Sequence, residues 1–88
     1  MRRGRDEKLC REIGLRLYFL RKRKSRDIKE VAIDLKLNPR TIGKFESGLL
    51  MPRVETLIEL ADYYGASMDY IVGRGKNESL ESRRSRKI

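Results

Sequence analysis

Asp27 followed three residues later by Glu30, and Asn38 followed at once by Pro39, are two helix-start signals only eleven positions apart. An N-cap carboxylate accepts from the third backbone N–H of its helix, and a Glu at that third position reaches back to the cap, so Asp27-x-x-Glu30 starts one helix. A capping Asn with proline at the first helical position starts another. Between them Ile28, Val31, Ala32 and Leu35 share one face, enough for about two turns at 3.6 residues per turn. Lys36-Leu37-Asn38 is left as a tight connection. The second helix buries Ile42 and Phe45 and stops at Ser47-Gly48. Neither helix can hide its apolar face alone, so both must pack against further helices.

The rest of the chain supplies them. From Glu7 the spacing of Leu9, Ile13, Leu17 and Leu20 predicts a helix with one apolar stripe. Leu15, Tyr18 and Phe19 lie off that stripe, and Lys22–Arg26 breaks the pattern. Leu49–Arg53 reads as a loop around Pro52. Leu57, Leu60, Ala61 and Tyr64 predict a fourth helix over 54–64, stopped by Gly65. Ser67 caps a short fifth helix with Met68, Ile71 and Val72, and Gly73 ends it. No strand signal rises above background. The expected fold is all-α: a compact five-helix domain over 7–73, a flexible basic arm over 1–6, and a disordered basic tail over 74–88.

Composition removes most alternatives. The chain has 88 residues, no His and one Cys. Histidine-based zinc sites and Ser–His or Cys–His nucleophiles are excluded, and Cys10 has no partner for an internal disulfide. No metal or cofactor is expected. Cys10 reads as a small hydrophobe, with a redox role as the weaker alternative despite Lys8 and Arg11 nearby. No apolar run is long enough for a membrane span or a signal peptide, so the expectation is a cytoplasmic, nucleoid-associated protein in a reducing compartment, with no membrane partner. The net charge is +9. Residues 1–26 carry +8, 27–73 carry −3 and 74–88 carry +4, so the basic excess sits in the flanks. Those flanks either grip a polyanion or simply keep the ends solvated.

Ile28–Leu35 and Pro39–Glu46 together have the dimensions of a helix-turn-helix, with the motif over about 28–47. Ala32 offers the small residue where the two helices meet, and Leu37 plugs the turn. The polar face of the second helix carries Pro39, Arg40, Gly43 and Lys44, with Thr41 beside it. Arg40 and Lys44 are four apart and project from one side. Arginine pairs two hydrogen bonds to a guanine edge, and a helix of this width fits the major groove. Double-stranded DNA is therefore the expected partner.

Residues 17–73 resemble the Cro/C1-type (XRE-like) helix-turn-helix domain of phage repressors and bacterial regulators. The resemblance rests on Leu20-Arg21, Glu30-Val31-Ala32, Asn38-Pro39-Arg40-Thr41-Ile42, Lys44-Phe45-Glu46-Ser47-Gly48, Pro52, Glu55-Thr56-Leu57, Leu60-Ala61 and Gly65-Ala66-Ser67-Met68-Asp69-Tyr70. It implies a lambda-repressor-like fold whose recognition helix is 39–46. Base contacts then fall to Pro39, Arg40, Thr41 and Lys44, and phosphate or positioning contacts to Asn38, Lys29, Lys36, Ser47 and Arg53. Arg21 and Glu46 match a buried ion pair. The sequence departs from the family's pattern at Ile28, where Gln is usual, and at Lys36, where Gly is usual. Pro39 offers a base only apolar contact, so part of the readout is assigned to DNA shape.

A sequence-specific, non-enzymatic transcriptional regulator is the leading expectation: a repressor binding a palindromic operator as a homodimer. Tyr63, Met68, Tyr70, Ile71 and Val72 are the expected dimer residues, with Leu15, Tyr18 and Phe19 on the first helix as a rival surface. The alternative is an antitoxin-like protein whose main role is to bind and neutralise a protein partner through that helix. A general polyanion or anionic-membrane binder using the flanks is a third possibility.

Overall fold

In the computed structural model, which describes residues 3–75 with side chains from residue 7 onward, five helices follow one another: α1 Arg3–Arg23, α2 Ile28–Leu35, α3 Pro39–Ser47, α4 Val54–Tyr64 and α5 Met68–Val72. Local chemistry sets most of the boundaries. The Asp27 carboxylate accepts from the Glu30 N–H at 2.9 Å, and the Glu30 carboxylate accepts from the Asp27 N–H at 2.9 Å. The Asn38 side chain accepts from the Arg40 N–H at 2.8 Å, ahead of Pro39. Ser67 caps α5 by accepting from the Tyr70 N–H at 3.0 Å.

Helix α1 differs from expectation in two ways. It begins at Arg3, so residues read as a flexible arm already belong to the helix. Its buried positions are Cys10, Ile13, Leu17 and Leu20, while Leu9 stays 37% exposed. The stripe therefore runs one residue off at its start, because the small thiol fits where α1 meets the body and leucine turns outward. The expected tail over 74–88 lies, after Gly75, outside the described residues.

Ile13, Leu17 and Leu20 of α1 close the main core over Phe45, Leu57, Leu60, Ala61, Ala66 and Ile71. A second, smaller seam of Val31, Ala32 and Ile42 fastens α2 to α3. Gly14 permits the close crossing of α1 over α3. A Cβ there would lie 2.3 Å from the Phe45 carbonyl oxygen and 2.7 Å from that of Glu46, both impossible contacts with backbone. At the other end of the body, the Arg16 guanidinium donates to the Ile71 carbonyl at 3.3 Å and so satisfies the end of α5.

A candidate nucleic-acid interface on α3

Helix α3 is divided lengthwise. Ile42 and Phe45 are buried, whereas Pro39, Arg40, Lys44 and Ser47 are exposed. At 100° per residue, Arg40, Lys44 and Ser47 cluster on the face opposite the two buried side chains. Thr41 is half-buried at the edge, beside the core-facing side rather than with Arg40. Asn38 uses its carbonyl oxygen as the cap, leaving its amide NH2 available to an acceptor. The Ser47 hydroxyl donates to the Lys44 carbonyl at 3.4 Å, so it is partly committed to its own helix.

The residues around α3 are also exposed. Lys29 lies in the first turn of α2. Lys36 ends α2 in the left-handed conformation, φ 57°, and its N–H bonds back to the Ala32 and Ile33 carbonyls. A side chain with a Cβ is held there at a cost of about 1 kcal/mol relative to glycine. In exchange its ammonium group stands beside the turn. Arg53 precedes α4, whose first N–H groups receive no side-chain cap from it.

The far end of α3 is held firmly. Arg21 Nε meets Glu46 Oε2 at 2.8 Å and Arg21 Nη2 meets Oε1 at 3.0 Å, a bidentate pair with both side chains 9% exposed. The third guanidinium nitrogen donates to the Arg26 carbonyl at 3.0 Å. The bond to Glu46 raises the Arg21 pKa above its ordinary value, outweighing the opposing effect of burial. Tyr64 lies in the same environment. Burial first, and then the Glu46 charge, push its hydroxyl pKa well above the usual tyrosine range, against the pull of Arg21.

A helix-turn-helix family model matches residues 17–71, more than half of the chain. The chain belongs to this Cro/C1-type helix-turn-helix family. Membership makes it a DNA-binding regulator in general terms. No curated protein and no solved structure matches it. Among the described residues no helix is long and apolar enough to cross a membrane, and no group of three or more acidic or Cys side chains is placed to hold a metal ion.

The expected dimer residues differ in how much surface they present. Ile71 is 0% exposed and belongs to the core, so it has no surface to offer a second copy. Met68, Tyr70 and Val72 are half-buried against the same core. The Tyr63 hydroxyl donates to Asp34 at 2.6 Å, tying α4 to α2. The large exposed apolar side chains lie elsewhere: Leu49, Leu50 and Met51 in the loop after α3, Val54 and Ile58 on α4, Ile33 on α2, and Leu9, Leu15, Tyr18 and Phe19 on α1. Sequence reasoning treated the loop as a mere connection and missed the first of these groups. Three consecutive apolar residues between a helix-ending glycine and Pro52 were the available signal. Gly14 was missed as well, since a glycine inside a helix announces a close crossing only once its neighbour is known.

Proposed function

We propose that the chain is a sequence-specific double-stranded DNA-binding repressor that reads a palindromic operator as a homodimer. The observation that carries this reading is the pair Arg40 and Lys44, one turn apart on the outward face of a helix whose opposite face is sealed by Ile42 and Phe45. Arg40 is the base-reading side chain, with Lys44 beside it and Pro39 in apolar contact. Asn38, Lys29, Lys36, Ser47 and Arg53 surround the helix as phosphate or positioning contacts, and the uncapped start of α4 adds backbone donors next to Arg53. Repression follows from occupying a promoter and needs no chemistry.

One domain of this size spans only a few base pairs, so a two-fold arrangement is needed for useful specificity. Leu49, Val54 and Ile58, which are 75%, 67% and 46% exposed, support a contact through the loop after α3 and the adjoining face of α4. Met68, Tyr70 and Val72 of α5 are the competing surface.

Selection of bound duplexes from random sequence tests both parts. Arg40→Ala is expected to relax one position in each half-site and to weaken binding by about 1–3 kcal/mol. Arg53→Ala is expected to weaken all sequences alike and to lower the salt dependence. Sedimentation on the selected palindrome should give two chains per duplex. Ile58→Glu should reduce this to one while Tyr70→Glu leaves it at two. An unchanged motif for Arg40→Ala refutes the base-reading role, and a single chain per duplex for the unmodified protein refutes the homodimer.

A further inference from the structure

The outer face of α1 lies outside the proposed DNA-reading face. Leu15 and Phe19 are 53% and 50% exposed and one turn apart. They point about 160° away from Leu17, the buried centre of the helix, at 100° per residue. Helix α1 meets α3 at the latter's C-terminal end, through Gly14 against Phe45 and Glu46. Arg40 and Lys44 project from the face of α3 opposite Phe45, so a ligand on the outer face of α1 leaves them open.

Phe19 is held in place. Its ring packs edge-on against Tyr18, with centroids 5.5 Å apart and planes at 64°. Tyr18 is in turn fixed by the Arg21 guanidinium at 5.5 Å and the Lys22 ammonium at 5.8 Å from its ring centre. A large apolar side chain already locked by its neighbours loses little entropy on contact, which is the character of an anchor.

The charges around this pair decide what can cover it. Lys8 and Arg11 lie on the N-terminal side and Lys22 on the C-terminal side, all exposed, against the half-buried Glu12 beside them and the exposed Glu7 further round the helix. A second copy fits poorly. An antiparallel α1 pair with Leu15 opposite Phe19 sets Arg11 against Arg23, with only Glu12 meeting Lys22. A parallel pair sets each cation against itself. Both put like charges at the rim, in a chain of net charge +9. DNA fits poorly too, because the centre of the face is apolar. The complementary surface is an amphipathic helix with a short apolar stripe and Asp/Glu on both flanks.

We infer that the Leu15–Phe19 face of α1 is a docking site for an acidic amphipathic helix of another protein, distinct from the DNA-reading face. This goes beyond the DNA-binding reading and does not depend on it. Such a partner gives a small DNA-binding domain an effector without a second domain of its own.

A synthetic acidic amphipathic peptide with leucines at helical spacing is the probe. Two controls accompany it: the same composition with the leucines distributed around the helix, and the same stripe with Lys in place of Glu. Binding is read by fluorescence anisotropy and mapped by amide chemical shifts on the full chain. The striped acidic peptide should bind, with shifts along the outer face of α1, and both controls should fail. Phe19→Ser and Leu15→Ser should each weaken it about tenfold or more, the scale of removing an apolar anchor. Both sites are exposed, so the fold survives, which thermal melts check. DNA affinity should be unchanged in both variants, and peptide affinity unchanged in Arg40→Ala. Four results overturn the proposal: equal binding of the redistributed peptide, shifts centred on α3 instead of α1, loss of self-association in Phe19→Ser, or loss of DNA affinity in Phe19→Ser.

Discussion

Replacing Glu46 by Ala should cost more stability than any change on the exposed Arg40–Lys44 face of α3. The substitution deletes both carboxylate contacts to Arg21 and leaves its guanidinium with the Arg26 carbonyl alone, in a site where the pair is 9% exposed. Removing one partner of a buried ion pair costs about 3–5 kcal/mol, mostly because the remaining charge is still desolvated. A domain this small has a total stability of only about 4–13 kcal/mol at the usual value per residue. At about 4–8 °C per kcal/mol, the melting temperature should fall by about 12–40 °C. The double variant Arg21→Met with Glu46→Leu removes both charges and refills the volume, and should recover most of the loss, since apolar replacement of a buried pair is near neutral or stabilising. Urea unfolding followed by far-UV circular dichroism, at constant m-value, measures both. If Glu46→Ala loses less than about 1 kcal/mol, the pair behaves as a solvated surface bridge and the burial argument is wrong. If the double variant is as damaged as the single one, the geometry of the charges, rather than the stranded cation, is what matters.

Other outcomes follow from local geometry. Lys36→Gly relieves the left-handed cap and should raise stability by about 0.5–1 kcal/mol in the same urea assay, while removing one cation beside the turn and flattening the salt dependence of DNA binding. Gly14→Ala, by contrast, drives a methyl into the Phe45 carbonyl and should lower the melting temperature, although alanine is the better helix former. Tyr64 has its hydroxyl pKa raised in the folded state, chiefly by burial. Its contribution is therefore complete below the ordinary tyrosine pKa near 10 and is lost above it, as the unfolded chain ionises first. Tyr64→Phe should flatten the alkaline decline of stability between about pH 10 and pH 12, the range just above that ordinary pKa.

The elements that sequence reasoning located best are those with local chemistry at one end or both. Asp27 with Glu30, Asn38 with Pro39, Ser67 and the helix-ending glycines each act within four residues, so α2, α3, α4 and α5 match their expected bounds. The extension of α1 to Arg3 was not legible. The register of α1 slipped as well: leucine at position 9 is the more hydrophobic side chain, but packing selected the smaller Cys10. The outward placement of Arg40 and Lys44 was legible because it depends only on helical period and on the burial of Ile42 and Phe45. The burial of Ile71 was not, because tyrosine content near α5 says nothing about which faces the core has already taken.

Helix α3 joins two kinds of constraint end to end. Its last turns are clamped by Phe45, Glu46 and the crossing of α1, whereas a side chain added at Gly43 meets nothing within 4 Å. Pro39, Arg40, Gly43 and Lys44 are therefore open to replacement with little effect on folding. On the proposed reading, exchanging these four positions changes the operator preference while the clamp keeps the helix at a fixed angle. Variation there explores different binding sites from the same stable body, and at Gly43 a side chain adds a contact to those of Pro39, Arg40 and Lys44.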